Sequence, residues 1–166
     1  MSADGYIARP DGDIEWLNRR KRLDYGWSEF AGSCDVVIVG RKTYDFALSM
    51  GQKSFPGFTA YVFTHHPLDI DEVNFVSGDV APLARRLRES DGKNIFVCGG
   101  ADIIGQLLDA GYVDDLSIHV IPVLIGEGIP LIAPRHRDIP LELVDTKTFP
   151  DGVVHLHYRV ALRERH

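Results

Sequence analysis

At 166 residues, 45% hydrophobic and 25% charged, the chain is long enough to bury one full core and has the composition of an ordinary globular protein. Its net charge of −6 excludes a broadly basic surface for nucleic acid or an anionic membrane, so an anionic ligand requires a local positive site. No apolar run approaches the roughly 18 residues of a membrane span, and no signal-peptide pattern is read. Cys34 and Cys98 each border an apolar run, which reads as two buried free thiols and a cytoplasmic address.

The opening "MSADGYIARPDGD" carries a turn signal with no strand before it. "DIEWLNRR" reads as a short helix or ordered loop holding Trp16, and Asp24–Gly32 as a helix with Trp27 and Phe30 on one face. "DVVIVG" is a continuous β-branched run, the pattern of a strand covered on both faces. A helix over "RKTYDFALSM" follows, then strands over Phe58–Thr64 and "VNFVSG". "APLARRLRES" is amphipathic, with Leu83 and Leu87 on one face. "NIFVC" is the next strand, followed by a helix over Ala101–Ala110 and a long strand over "LSIHVIPVLIG". The last segment alternates apolar and polar on both sides of Pro150-Asp151-Gly152, a hairpin signal. The expectation is one α/β domain over 1–166, with a mixed, mostly parallel central sheet, helices on both faces and a C-terminal antiparallel hairpin.

Open α/β sheets bind ligands outside the carboxyl ends of their strands, and three such ends are suggestive here. Gly40 closes a strand and Arg41, Lys42 and Thr43 open a helix, where cations oppose the helix dipole unless an anion is bound. Thr64, His65 and His66 end the next strand before Pro67. They suit a phosphate or a purine, and equally an ordinary surface turn. Gly99 and Gly100 end "FVCGG" and the helix Ala101-Asp102-Ile103-Ile104 starts at once, so side chains at the pair would keep a pyrophosphate from the backbone. Asp102 is also placed to cap that helix, which explains half of the motif. The spacing fits neither G-x-G-x-x-G nor a P-loop. Together the three ends suit an extended polyanion across two helix N-termini, best of all a dinucleotide.

The order "DGYIA…DGDIEWL", "VVIVGRKTYD", "VFTHHP", "FVCGGADIIGQLL" and "LSIHVIPVLIGEGIPL" resembles the dihydrofolate reductase superfamily over essentially the whole chain. It is most similar to the C-terminal reductase domain of the bifunctional riboflavin-biosynthesis deaminase-reductase and its stand-alone relatives. The resemblance implies an NADPH-dependent reductase with a mixed eight-stranded sheet, usually a homodimer. It assigns Gly40, Arg41, Lys42 and Thr43 to the cofactor-binding turn, and Thr64 and His65 to the adenosine end with its 2′-phosphate. It assigns Cys98, Gly99 and Gly100, the glycines often joined by a cis peptide, and Ala101 to Ile104 to the pyrophosphate and nicotinamide. Tyr6, Ile7 and Ala8 match the loop that closes over the nicotinamide.

Two departures stand out. The family has a central strand before this loop and the sequence starts inside it, read here as a start placed too far downstream or a truncated strand, since losing a central strand exposes two edges. The pteridine-gripping carboxylate of true dihydrofolate reductases has no match: Trp16 is followed by Asn18 and Arg19 to Arg22, with Asp24 and Glu29 the nearest later acids. Dihydrofolate is therefore disfavoured against another pyrimidine- or pteridine-like heterocycle, such as a ribosylaminopyrimidine. Substrate is expected near Tyr6, Asp13, Trp16, Phe30 and Tyr44, although the aromatics suit a core equally well. Among Asp4, Asp11, Asp13 and Glu15 no proton donor is singled out, so the catalytic residues stay unassigned. Arg19–Arg22 suit a ribose phosphate or plain solvent. His155 and His157 share a strand face without a third ligand, so no metal is expected. The glycine-rich "LIGEGIP" suits a loop near the nicotinamide or a dimer interface. The alternatives to a reductase are a nucleotide- or flavin-binding module without turnover and a dimeric scaffold.

Overall fold

The computed structural model describes residues 1–18, 23–52, 54–68, 70–134 and 137–161. The chain packs as two compact units, Gly26–Tyr112 and Met1–Tyr25 with Val113–His166. No helix among the described residues is long and apolar enough to cross a membrane.

The Gly26–Tyr112 unit is built on a parallel sheet. Its strands are β2 (Cys34–Gly40), β3 (Thr59–Phe63), β4 (Asn74–Val76) and β5 (Asn94–Gly99), in the order β4-β3-β2-β5. β2 is central, and Val37, Ile38 and Val39 are almost wholly buried, as a strand covered on both faces requires. Val37 and Val39 pack with Ala60, Val62, Val73 and Tyr44 into one core cluster. The helices are α2 (Trp27–Gly32), α3 (Arg41–Ser49), α4 (Val80–Arg88) and α5 (Ala101–Asp109). α4 buries Val80, Leu83 and Ala84, and α5 buries Ile103, Leu107 and Leu108, the stripes expected of amphipathic helices. α2 starts at Trp27 rather than Asp24, because Tyr25 (φ 52°) and Gly26 (φ 86°) are left-handed and interrupt the helix.

The other unit holds a hairpin and its neighbours. β6 (Asp115–Val120), β8 (Leu141–Thr148) and β9 (Val154–Val160) form an antiparallel sheet in the order β6-β9-β8. β1 (Tyr6–Ala8) pairs with β7 (Ile129–Pro130), and α1 spans Glu15–Asn18. β6 stops at Val120 because Pro122 has no N–H for a ladder. Trp16, Ile121 and Val153 form the core of this unit, with Tyr25, Val123, Ile125 and Phe149 packed on it. The expected parallel sheet with helices and the closing hairpin are both present, hydrogen-bonded as separate sheets among the described residues.

Candidate functional site

The sheet register of the Gly26–Tyr112 unit brings the three suggestive strand ends together. Gly40 lies beside Phe63, and Val39 beside Gly99. Gly40–Thr43, Thr64–His66 and Gly99–Ile104 therefore leave the sheet along one carboxyl edge, where open α/β sheets take their ligands.

The glycines there have different reasons to exist. A Cβ on Gly40 would stand 3.1 Å from Ile103 Cγ1 and 3.2 Å from the Gly100 nitrogen, so the chain's own packing leaves little room for a side chain there. Gly99 has φ 118°, a conformation that L side chains avoid, and the Gly99–Gly100 peptide is cis, as the resemblance implied. Gly100 is another matter. Its backbone is extended (φ −74°, ψ −168°), and a Cβ there would meet only Thr43 Oγ1, at 3.4 Å. Internal packing does not explain the missing side chain at Gly100.

Both helices at this edge start without a side-chain cap. α3 follows Gly40 and α5 follows Gly100, and neither N-cap makes a side-chain hydrogen bond. α4, which starts elsewhere, is capped by Asp79, whose carboxylate accepts from the Ala81 N–H at 3.0 Å. The N-cap of α5 is Gly100 and not Asp102, whose Oδ2 accepts from Gln106 Nε2 at 2.6 Å. The first-turn N–H groups of α3 and α5 thus point their donors and the positive helix ends toward one edge.

Arg41 ties this edge together. Its Nε donates to Asp45 Oδ1 at 2.7 Å, and its Nη1 donates to the His66 carbonyl at 2.7 Å and to Thr64 Oγ1 at 3.4 Å. The guanidinium bridges the start of α3 and the Thr64–His66 turn, and Nη2 takes no part in these bonds. Thr64 is buried and its Oγ1 accepts from the His66 N–H at 3.1 Å, while Lys42 and His65 are exposed. Cys98 sits at the margin of the core beside Phe96, and burial pushes its thiol above the usual range. A raised thiol pKa disfavours the thiolate, the nucleophilic form of cysteine. This arrangement can bind an extended anion through backbone N–H groups and one fixed guanidinium.

In the same unit Tyr44 is fully buried between Phe55 and Phe75, a core position. Phe30 is half-buried and packs edge-on against Phe96, their centroids 5.1 Å apart. Trp27 completes that group at 50% exposure. In the sequence only the helical spacing of Trp27 is legible, yet it is the most exposed aromatic of this group.

In the other unit, Tyr6, Ile7 and Ala8 form β1, aligned on β7. Gly128 explains its own glycine: a Cβ there would run into the Ala8 carbonyl oxygen. Asp4 carries a role that sequence reasoning missed. Its Oδ2 accepts from the N–H groups of Gly126 at 2.8 Å and Ile125 at 3.1 Å. A hydrogen bond with Ser2, then these backbone donors, hold its carboxyl below the usual carboxylate range. An ionised acceptor engaged with backbone is a loop clamp and has no proton to give. Asp13 accepts from the Glu15 N–H at 3.1 Å, at the entry to α1, and faces Arg9 at 3.7 Å. Trp16 is 6% exposed in the core, and its Nε1 finds no acceptor among the described residues. Arg19–Arg22 lie outside the described residues.

His155 and His157 have local partners. His155 bonds Ser117 at 2.8 Å and stacks on His119 at 4.5 Å, and His157 pairs with Asp115 at 2.9 Å. No group of three metal-ligating side chains occurs among the described residues.

Comparison with known proteins places these features in a family. The model of the RibD C-terminal domain matches residues 1–155. Among curated proteins, the chain is 36% identical to the uncharacterized protein YwjB of Bacillus subtilis, covering 95% of this chain and 92% of that protein. It is 24% identical to the riboflavin biosynthesis protein RibD of Corynebacterium ammoniagenes, covering 80% of this chain and 44% of that larger protein. Among solved structures, a putative riboflavin biosynthesis protein from Shewanella sp. PV-4 superposes with a TM-score of 0.85 at 23% identity, covering 98% of this chain and 96% of that one. Dihydrofolate reductase from Enterococcus faecalis, solved in complex with NADP(H) and RAB-propyl, gives a TM-score of 0.70 at 19% identity, covering 96% of this chain and 92% of that one. With the match running over nearly its whole length, and with a dihydrofolate reductase-like α/β fold, the chain belongs to the RibD C-terminal domain family.

Proposed function

We propose that the protein is an NADPH-dependent reductase of a small heterocycle of pyrimidine or pteridine type, with a ribosylaminopyrimidine as the first candidate. The observation that carries the cofactor half is Gly100. Its unfilled Cβ position lies between two uncapped helix N-termini, with a fixed guanidinium nearby. These groups fit a dinucleotide: the α3 and α5 N–H groups receive the pyrophosphate, and Arg41, Lys42 and His65 receive the 2′-phosphate. Cys98, Gly99 and Ala101 to Ile104 form the wall beside it, and Thr43 and Thr64 supply hydroxyls. Tyr6, Ile7 and Ala8 keep the nicotinamide-side role that the resemblance gives them.

Bound NADPH would supply the hydride, and the chain's own residues orient it and the acceptor. Phe30, with Trp27 beside it, offers a stacking surface for a planar ring. Asp4 is engaged by backbone N–H groups, and the proton donor stays unassigned among Asp11, Asp13, Glu15 and solvent. A homodimer in the cytoplasm completes the proposal. The absence of an assigned acid keeps a second reading in play, a nucleotide-binding module without turnover.

The test follows NADPH absorbance with a ribosylaminopyrimidine and, separately, dihydrofolate. Oxidation with the ribosylaminopyrimidine and little with dihydrofolate is the expected result. Tight NADPH binding without oxidation by any pyrimidine or pteridine would replace the reductase reading with the binding module.

A further inference from the structure

One face of the β6-β9-β8 sheet gathers its titratable side chains. Asp115, Ser117 and His119 of β6 lie opposite Arg159, His157 and His155 of β9. Glu142, Asp145 and Lys147 of β8 lie opposite the same three residues. Opposed residues share a face of the sheet. On this polar face His119 and His155 are stacked, with ring centroids 4.5 Å apart and planes 25° from parallel.

The stack holds Tyr25. His119 Nε2 lies 3.0 Å from the Tyr25 carbonyl, and a carbonyl only accepts, so that nitrogen carries a hydrogen. The Tyr25 ring crosses those of His119 and Phe149 steeply, at 6.1 and 5.0 Å between centroids. Its hydroxyl donates to the Asp151 carboxylate. Tyr25 needs this grip. With φ 52° it is the one non-glycine residue among those described whose backbone is left-handed. An L side chain resists that conformation, which persists where surrounding contacts impose it. Gly26 follows, also left-handed, and its carbonyl accepts from the Phe30 N–H at 3.1 Å, so α2 begins directly after the held residue.

The grip depends on charge. A first proton on the stack leaves one cation, and on His119 it keeps the donor to Tyr25. A second sets two cations face to face, and the pair titrates as a coupled unit. Lys147 faces His155, and the chain's amino terminus donates to the His119 carbonyl, so both add positive charge beside the stack. Asp145 opposes them but lies across from His157, which pairs with Asp115 at 2.9 Å. Burial first, then His119, Lys147 and His157, place the His155 pKa below its ordinary value.

We propose that the His119–His155 stack is an acid-sensitive latch on Tyr25: with at most one proton it holds Tyr25 left-handed, and a second proton parts the rings and releases the step from Tyr25 into α2. Trp27 stands two residues beyond the latch. The inference requires nothing of the cofactor and stands apart from the reductase reading. The competing possibility is a packed cluster whose protonation lowers stability without moving Tyr25.

NMR on the full chain, from neutral pH downward, tests it by following the histidine rings together with the backbone amides of Gly26 and Trp27. The expected result is two separated steps shared by His119 and His155. The Gly26 and Trp27 amides should shift on the second step, while those of Val37, Ile38 and Val39 stay in place. In His155→Gln the Gly26 and Trp27 amides should stay in place over the same range. Lys147→Gln, at an exposed position, removes a cation beside His155 and should move the second step, and the amide shift with it, to higher pH. Gly26 and Trp27 amides that ignore the second proton, that shift equally in His155→Gln, or whose step is unmoved by Lys147→Gln would overturn the latch. So would amides shifting together throughout the chain, since that is unfolding.

Discussion

Gly40, Gly99 and Gly100 carry separate reasons for having no side chain. Gly40 is bare because Ile103 and the Gly100 nitrogen crowd it, and Gly99 because of its positive φ. At Gly100 neither cause applies, so it is the position where substitution tests a ligand and spares the fold. Gly100→Ala should remain folded by circular dichroism and lose NADPH affinity. Arg41→Ala should weaken NADPH by about 10- to 150-fold and NADH much less, the loss of one charge-assisted contact of about 1.5–3 kcal/mol. An equal loss for both cofactors would show that Arg41 only braces the Thr64–His66 turn, which its bond to the His66 carbonyl already does.

At the scale of elements, the helix caps and the three-stranded sheet differ in what they reveal. Asp79 caps α4, and the two helices at the candidate site have no such residue, which is what a ligand replacing the cap would allow. In the sheet, the polar face sets His155 between neighbours that disfavour its charge. Burial first, then His119, Lys147 and His157, lower its pKa below the ordinary 6.5, with Asp145 acting the other way. The unfolded chain then binds more protons than the folded one just below that value. The stability from neutral His155 is thus present above about 6.5 and lost as pH falls through the lowered value. Chemical denaturation across that window should show stability falling with acid, and His155→Gln should flatten the fall. An unchanged slope in the variant would assign the acid sensitivity to other groups.

For the molecule as a whole, regular elements were legible and sparse contacts were not. The continuous run "DVVIVG" announced β2, and the Pro150-Asp151-Gly152 turn announced β8 and β9. β1 and β7 are too short to show a period, and the left-handed Tyr25 leaves no composition signal ahead of α2. The Gly-Gly step was legible as a strand end without side chains, while the chain's own packing accounts for Gly40 and the backbone angle for Gly99. Whether Trp16 and Tyr44 faced a ligand or a core was not legible, because a buried aromatic and a stacking one are the same letter. Asp4 was illegible for a different reason: its backbone partners, Ile125 and Gly126, lie more than a hundred residues away in sequence.

The cofactor is the claim on which the rest depends, and a titration of the wild-type chain with NADPH and, separately, NADH tests it most directly, read by quenching of tryptophan fluorescence and energy transfer to the nicotinamide. The account predicts saturable binding of both, with NADPH tighter by about 10- to 150-fold. Equal affinities would remove Arg41, Lys42 and His65 from a 2′-phosphate. No binding of either would contradict the dinucleotide site itself.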